Sequence, residues 1–286
     1  MIIGDFMKTC LVLEGGGLRG IYTAGVLDEM LKDKIKIDAI IGVSMGALIG
    51  INYKSNQPER AIRYNLRYCN DKRYIGFNQL LKTGNIVNKE FAYYELPNEL
   101  DKFDYNAYKK SKIKMFVTVT NVETGEAEYI EVKDAKENIE YFRASSSMPG
   151  VSKIVEINNK KYLDGGVADS IPVKKALELG YDRIIIVLTR PIEYRKKKSQ
   201  LKVLQSRYKK YPKFQKAIAS RNKRYNEVVE EIIKLEKDNK VFCIRPSKQV
   251  DIKRIEKNER IILEQYNLGK KDYLNCKEDL FKYLEK

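Results

Sequence analysis

Twice within its first 55 residues the chain runs from a short apolar stretch, through glycine, into a segment with helical patterning. "TCLVLE" stops at Gly15, Gly16 and Gly17 and leads into "RGIYTAGVLDEMLKD", where Ile21, Gly25, Leu27 and Leu31 recur with helical spacing and charges occupy the other face. "IDAIIGV" then leads through Ser44 into "MGALIGINYKS". Apolar runs without polar alternation suit strands buried on both faces. A β-α-β-α order with such strands implies a parallel sheet covered by helices on each side. With 286 residues, 43% of them hydrophobic, the chain can bury the core that this architecture requires.

Later segments extend the pattern. Pro58 opens the helical "PERAIRYNLRYC", where proline is tolerated at a first turn. "KMFVTVTNVETGEAEYIEV" reads as two strands around a turn at Glu123–Gly125, "KYLDGG" as a short strand, and "DRIIIVL" as a buried one. Beyond Arg190 the chain is basic and mostly helical, broken by the strand "KVFCIR". The expectation is one α/β domain with a helical C-terminal region packed on it.

Two glycine motifs carry chemistry. Gly15, Gly17 and Gly20 fit G-x-G-x-x-G, a dinucleotide fingerprint that also wants an acid at the end of the second strand. Asp38 has the right distance but begins that strand. At its end stands "GVSMG", Gly42 to Gly46, the G-x-S-x-G spacing of a nucleophile elbow around Ser44. Neighbouring parallel strands would bring the Gly15–Gly17 loop beside Ser44. Backbone amides that cradle a phosphate serve equally well as an oxyanion hole.

An elbow serine normally hands its proton to histidine, and the chain has none. A carboxylate, lysine or tyrosine must then be the base. Asp38 lies about 20 Å from Ser44 along an extended strand. Asp182 also begins a strand, and Asp33 ends the first helix. Glu14, closing the first strand, and Asp164, in "YLDGGVADSIP", remain on the productive edge. Gly165 and Gly166 permit close backbone approach beside Asp164 and favour it.

"GGGLRG", "GVSMG" and "DGG", in this order, resemble the motifs of the patatin-like phospholipases. "ASSSMPGVSKIVEINNKKYLDGGVADSIPV" resembles the segment around that family's catalytic aspartate. The resemblance covers about residues 9 to 180 and implies a three-layer α/β/α sandwich with a mainly parallel central sheet. Residues 181–286 would be a C-terminal strand plus a basic helical region packed on that core. It implies Ser44 as nucleophile and Asp164 as base, with Gly15, Gly16, Gly17, Arg19 and Met45 around the oxyanion. Gly20, Gly42, Gly46, Gly165 and Gly166 would support these motifs. The implied activity is hydrolysis of acyl esters of phospholipids or related lipids, without metal or cofactor. The third motif is D-G-G where many members have D-G-A, which removes no reacting group. The last 100 residues resemble the tail of bacterial members.

Charge bears on partners. Of a net charge of +16, most falls between Arg190 and Arg224, where 14 Lys/Arg face one acid, Glu193. Such a stretch suits an anionic surface, and peripheral contact with an anionic membrane is expected. The alternative is a non-catalytic protein binding anionic lipid or nucleic acid, with Tyr208, Tyr211 and Phe214 stacking among the lysines. Intact motifs favour the enzyme, for which no nucleic acid partner is expected. The four cysteines are scattered, which suits reduced thiols and not a zinc site. "MIIGDFMKTCLVLEGGG" lacks a basic leader segment, and the longest uncharged stretch, Ala39 to Tyr53, is too short to span a bilayer. The expected location is cytoplasmic, at most peripheral at the inner membrane face.

Overall fold

The computed structural model describes residues 7–197 and 202–285. Strand β1 (Thr9–Leu13), helix α1 (Ile21–Lys32), strand β2 (Ala39–Val43) and helix α2 (Met45–Lys54) follow the expected order. Helix α3 (Arg60–Tyr68) starts two residues after Pro58, because Glu59 takes a left-handed conformation at φ 59° that a helix cannot run through. Helix α4 (Phe77–Thr83), a π-helical segment (Phe91–Leu100) and α5 (Tyr105–Lys110) then precede β3 (Lys114–Asn121) and β4 (Ala127–Glu131). Next come α6 (Ile139–Ser145), β5 (Val155–Ile157), β6 (Lys160–Asp164), α7 (Val173–Glu178) and β7 (Arg183–Val187). The chain closes with α8 (Lys202–Ser206), α9 (Pro212–Lys237), β8 (Phe242–Ile244) and α10 (Glu259–Glu285).

The sheet runs β5-β6-β3-β2-β1-β7-β8, with β4 on the second edge of β3. β1 lies between β2 and β7 and is parallel to both, Leu13 pairing with Gly42 on one side and Val187 on the other. Three carboxyl ends therefore stand side by side. β4, β5 and β6 add an antiparallel flank.

Alternate residues of the central strands enter different layers. Leu11, Leu13 and Ile40 join the cluster that contains Tyr22, Ala47 and Tyr273 of α1, α2 and α10. Cys10, Val12 and Ile41 join Val173, Val229 and Ile232 of α7 and α9. Both faces are covered, which explains why these strands read as unbroken apolar runs. The architecture is a three-layer α/β/α sandwich with a mainly parallel sheet.

Residues 181–286 contribute sheet as well as helix, since β7 pairs with β1 and β8 with β7. Helix α10 packs closely on α1: a Cβ on Gly25 would stand 2.1 Å from Tyr266 O, and one on Gly269 2.0 Å from Tyr22 O.

The aromatic residues of the basic segment do not sit as the nucleic-acid alternative requires. Tyr208 and Phe214 are 7% and 0% exposed and stack edge-to-face at 4.9 Å, in a cluster with Val122 and Leu163. Tyr211 packs against the same cluster. Core packing consumes these ring faces, so they do not stack on bases, and the nucleic-acid alternative loses its aromatic platform. Lys198 to Leu201 of this segment lie outside the described residues.

Candidate active site

β3 brings the two key residues together. β2 ends with Val43 opposite Thr118, and β6 ends with Asp164 opposite Val119. Because β4 occupies the other edge over these positions, β2 and β6 meet end to end along one edge of β3. The residue after Val43 is Ser44, whose hydroxyl donates to Asp164 Oδ2 at 3.1 Å. Both side chains are buried, at 7% and 6% exposure.

Ser44 holds φ 53° and ψ −123°, a conformation that costs a non-glycine residue about 1–3 kcal/mol. The turn is possible because its flanking glycines admit close backbone approach. A Cβ on Gly42 would lie 2.6 Å from Ala47 Cα, and one on Gly46 2.6 Å from Leu13 O. The Ser145 hydroxyl, wholly buried, accepts the Ser44 N–H at 2.8 Å and donates to Thr118 O at 2.7 Å. Ser147 O accepts the Asp164 N–H, and Thr120 Oγ1 donates to Asp164 O at 2.8 Å. The three-serine run before Met148 therefore fixes both partners, and that run was the only sequence signal for Ser145 and Ser147.

Asp164 Oδ1 accepts the Gly166 N–H at 2.8 Å. Gly165 passes so close to β3 that a Cβ would meet Thr118 O at 2.1 Å. Burial lifts the Asp164 carboxyl above its ordinary value, opposed by Arg221, the Gly166 N–H, the Ser44 hydroxyl and Arg254. Arg221 is held by its own Nε, which donates to Gly166 O at 2.6 Å. Glu14 makes a different contact: its Oε2 accepts the Thr189 N–H at 2.6 Å. Asp38, Asp182 and Asp33 bond Thr9 N–H, Lys8 N–H and Tyr273 OH respectively, away from Ser44.

The glycine loop lies beside Ser44, and a Cβ on Gly15 would stand 3.2 Å from Ser44 Cβ. The Gly15 N–H is directed to Ser170 O at 3.4 Å. Among the described residues, the N–H groups of Gly16, Gly17 and Met45 have no hydrogen-bond partner. Gly17 has φ 59°, and Leu18 N–H donates to Arg254 O at 3.0 Å, so the segment before α10 braces the loop. Gly20 sits under Met45, where a Cβ would be 2.7 Å from Met45 Cγ. Arg19 is largely buried with Nε unbonded.

Two cavities meet at Ser44, sharing Gly17, Met148 and Arg254 as well. One, of ≈ 130 Å³, is walled mainly by apolar side chains including Leu18, Leu48, Ile51, Leu96 and Phe103. The other, of ≈ 370 Å³, is lined by Asp164, Glu14 and six cationic side chains. Lys196 and Arg221 among them belong to the stretch that reads in sequence as a charged surface. Among the described residues no group of His, Cys, Asp or Glu is placed to hold a metal ion.

Residues 11–177 match the family model for patatin-like phospholipase, and residues 211–285 match a domain of unknown function, DUF6363. The chain is 29% identical over 187 residues to the uncharacterized protein YjjU of Escherichia coli strain K12, covering 64% of this chain and 52% of that protein. It is 28% identical over 179 residues to lysophospholipase NTE1 of Meyerozyma guilliermondii, covering 62% and 12%. The crystal structure of VipD from Legionella pneumophila superposes with a TM-score of 0.45 and 11% identity, over 98% and 67% of the two chains. The chain thus spans about half the length of YjjU and a much smaller part of the fungal lysophospholipase.

Proposed function

Because the chain belongs to the patatin-like phospholipase family, we propose that it hydrolyses acyl esters of lipids, with Ser44 as nucleophile and Asp164 as its base. The observation that carries the reading is the 3.1 Å hydrogen bond from the Ser44 hydroxyl to Asp164, made at the junction of an apolar cavity and a polar one.

Ser44 Oγ attacks the ester carbonyl carbon while its proton passes to Asp164 Oδ2. The carboxyl's raised proton affinity makes it a better base for a hydroxyl than an ordinary aspartate. The charge that develops on the carbonyl oxygen is received by the free N–H groups of Gly16, Gly17 and Met45, with Arg19 adding a positive field nearby. Each such donor contributes about 3–4 kcal/mol. Collapse of the tetrahedral species breaks the ester C–O bond, and Asp164 returns its proton to the leaving alcohol. Water, deprotonated by Asp164, then releases the fatty acid and restores Ser44. The acyl chain occupies the apolar cavity, where burial contributes about 0.8 kcal/mol per methylene.

Access would be from a membrane surface. Among the described residues no helix is long and apolar enough to cross a bilayer. On α4, however, Phe77 and Leu81 are 68% and 71% exposed, and Tyr74, Ile75 and Val87 beside this helix line the apolar cavity. Lys153 and Lys257 flank the glycines at its two ends. Apolar tips among cations suit peripheral docking on an anionic bilayer.

A fluorophosphonate probe tests the reading directly, because only an activated serine reacts. Labelling should occur in wild type and be abolished in Ser44→Ala and Asp164→Asn. Retained labelling in Asp164→Asn with loss in Glu14→Gln would move the base to Glu14.

A further inference from the structure

The polar cavity beside Ser44 is unusual in its charge. Its lining contains Arg19, Arg190, Lys196, Lys197, Arg221 and Arg254, against the carboxylates of Glu14 and Asp164 only. Both carboxylates are engaged, Glu14 with the Thr189 N–H and Asp164 with Ser44 and the Gly166 N–H. Among the described residues none of the six cations makes an ion pair.

These groups are held in place. Asn226 of α9 grips the Lys196 backbone from both sides, accepting its N–H at 2.8 Å and donating to its carbonyl at 3.0 Å. Arg221 is anchored on Gly166 O, and the buried Nε of Arg19 has no hydrogen-bond partner. Burial and the repulsion of Arg221, Arg254 and Arg19 bring the Lys196 ammonium down to about 7. Burial, Arg190 and Arg254 bring Arg19 to about 10. Six cations set against two carboxylates leave a net repulsion, and a bound anion relieves it.

The aromatic rings of the cavity sharpen the choice of anion. An ammonium-bearing headgroup would need a free carboxylate or an open aromatic face. Tyr194 is already covered by the Arg190 guanidinium at 4.4 Å, and Tyr225 by Lys196 Nζ at 3.6 Å. The two lining carboxylates already accept hydrogen bonds from the protein and are outnumbered by six cations, which repel an amine.

Resting on the hydrolase reading above, we infer that this cavity binds the phosphate of the lipid headgroup and selects substrates whose headgroup carries no amine. The acyl chain enters the apolar cavity, the ester lies over Ser44, and the phosphate meets Lys196, Arg190 and Arg19. About half of the lining comes from the C-terminal region, Arg221, Tyr225 and Arg254 among it.

The test uses two short-chain lipids below their micelle concentrations, dihexanoyl phosphatidic acid and dihexanoyl phosphatidylcholine. Wild type should show kcat/KM at least roughly tenfold higher for the first, a difference of about 1.4 kcal/mol. The ratio should fall towards one in Lys196→Gln and in Lys196→Gln/Arg190→Gln, mainly through KM, and be kept in Lys196→Arg. Equal turnover of both lipids by wild type, or a ratio unchanged in the variants, overturns the inference. Calorimetry on Ser44→Ala reads the pocket without turnover. Preferential binding of the phosphatidic acid supports the inference even where the hydrolase reading fails. Equal binding of the two lipids overturns it with that reading intact. Inorganic phosphate should bind Ser44→Ala more weakly than the lipid; equal or tighter binding would make free phosphate the ligand and overturn the headgroup assignment.

Discussion

Replacing Ser145 with alanine should damage both the stability of the protein and the elbow, and the structure gives the size of the effect. The hydroxyl is wholly buried and bridges the Ser44 N–H and Thr118 O at 2.8 and 2.7 Å. Alanine removes both bonds and leaves the buried Ser44 N–H without its acceptor. An unsatisfied buried group of this kind costs about 1–3 kcal/mol. In a chain of this size a loss of about 2 kcal/mol lowers Tm by about 4–8 °C. The Ser44 backbone, already in a strained conformation, loses the bond that holds it, and a misplacement near 1 Å lowers kcat by about 100-fold. The assays are thermal melting and kcat with KM on a soluble ester. The stability loss should recur undiminished in a Ser44→Ala background, because Ser145 supports the main chain of that residue and not its hydroxyl. A Tm within 1 °C of wild type together with kcat within twofold would refute the reasoning, using thresholds of about the size of assay error.

Three further expectations follow from single contacts. Asp164 holds its proton to higher pH in the folded chain than in the unfolded one, so its contribution to stability is present at acid pH and lost as pH rises through the folded value. Asp164→Asn should therefore be inactive yet melt higher than wild type at neutral pH, with the gap closing below about pH 4, and the acid limb of kcat/KM should lie above the usual carboxylate range; a variant less stable than wild type at pH 7 would contradict this. Gly25→Ala and Gly269→Ala each push a methyl into a carbonyl oxygen of the facing helix, so overpacking of about 1–3 kcal/mol or more should outweigh the roughly 1 kcal/mol gained in helix propensity, and an unchanged or raised Tm would count against the close α1–α10 approach. Phe77→Ser and Leu81→Ser should weaken flotation with anionic vesicles at least about tenfold, since burying each such side chain contributes about 1.5–3 kcal/mol; unchanged flotation would place the membrane contact elsewhere.

The sequence by itself determined the layers and the motifs. Apolar runs at residues 10–13, 39–43 and 184–187 specify strands covered on both faces, and the glycines around the ends of the first two specify turns sharp enough to present Ser44. Local patterning suffices there because each requirement is met by residues adjacent in the chain. In sequence Asp164 was favoured over Glu14 as the partner of Ser44 by the two glycines after it and by the family resemblance, but the contact itself was not legible, since the partners stand 120 residues apart. Tertiary structure makes the contact through register: β3 pairs with β2 up to Thr118 and with β6 from Val119, which joins the ends of two strands that share no sequence neighbourhood. It also decided where part of the basic segment goes. A run of lysine and arginine looks the same in sequence whether it faces solvent or a cavity, and only the packing of α9 against the loop after β6 turns Lys196 and Arg221 towards Ser44 while Tyr208 and Phe214 enter the core. Charge is a local property of a chain, but the direction in which it points is set by what the chain packs against.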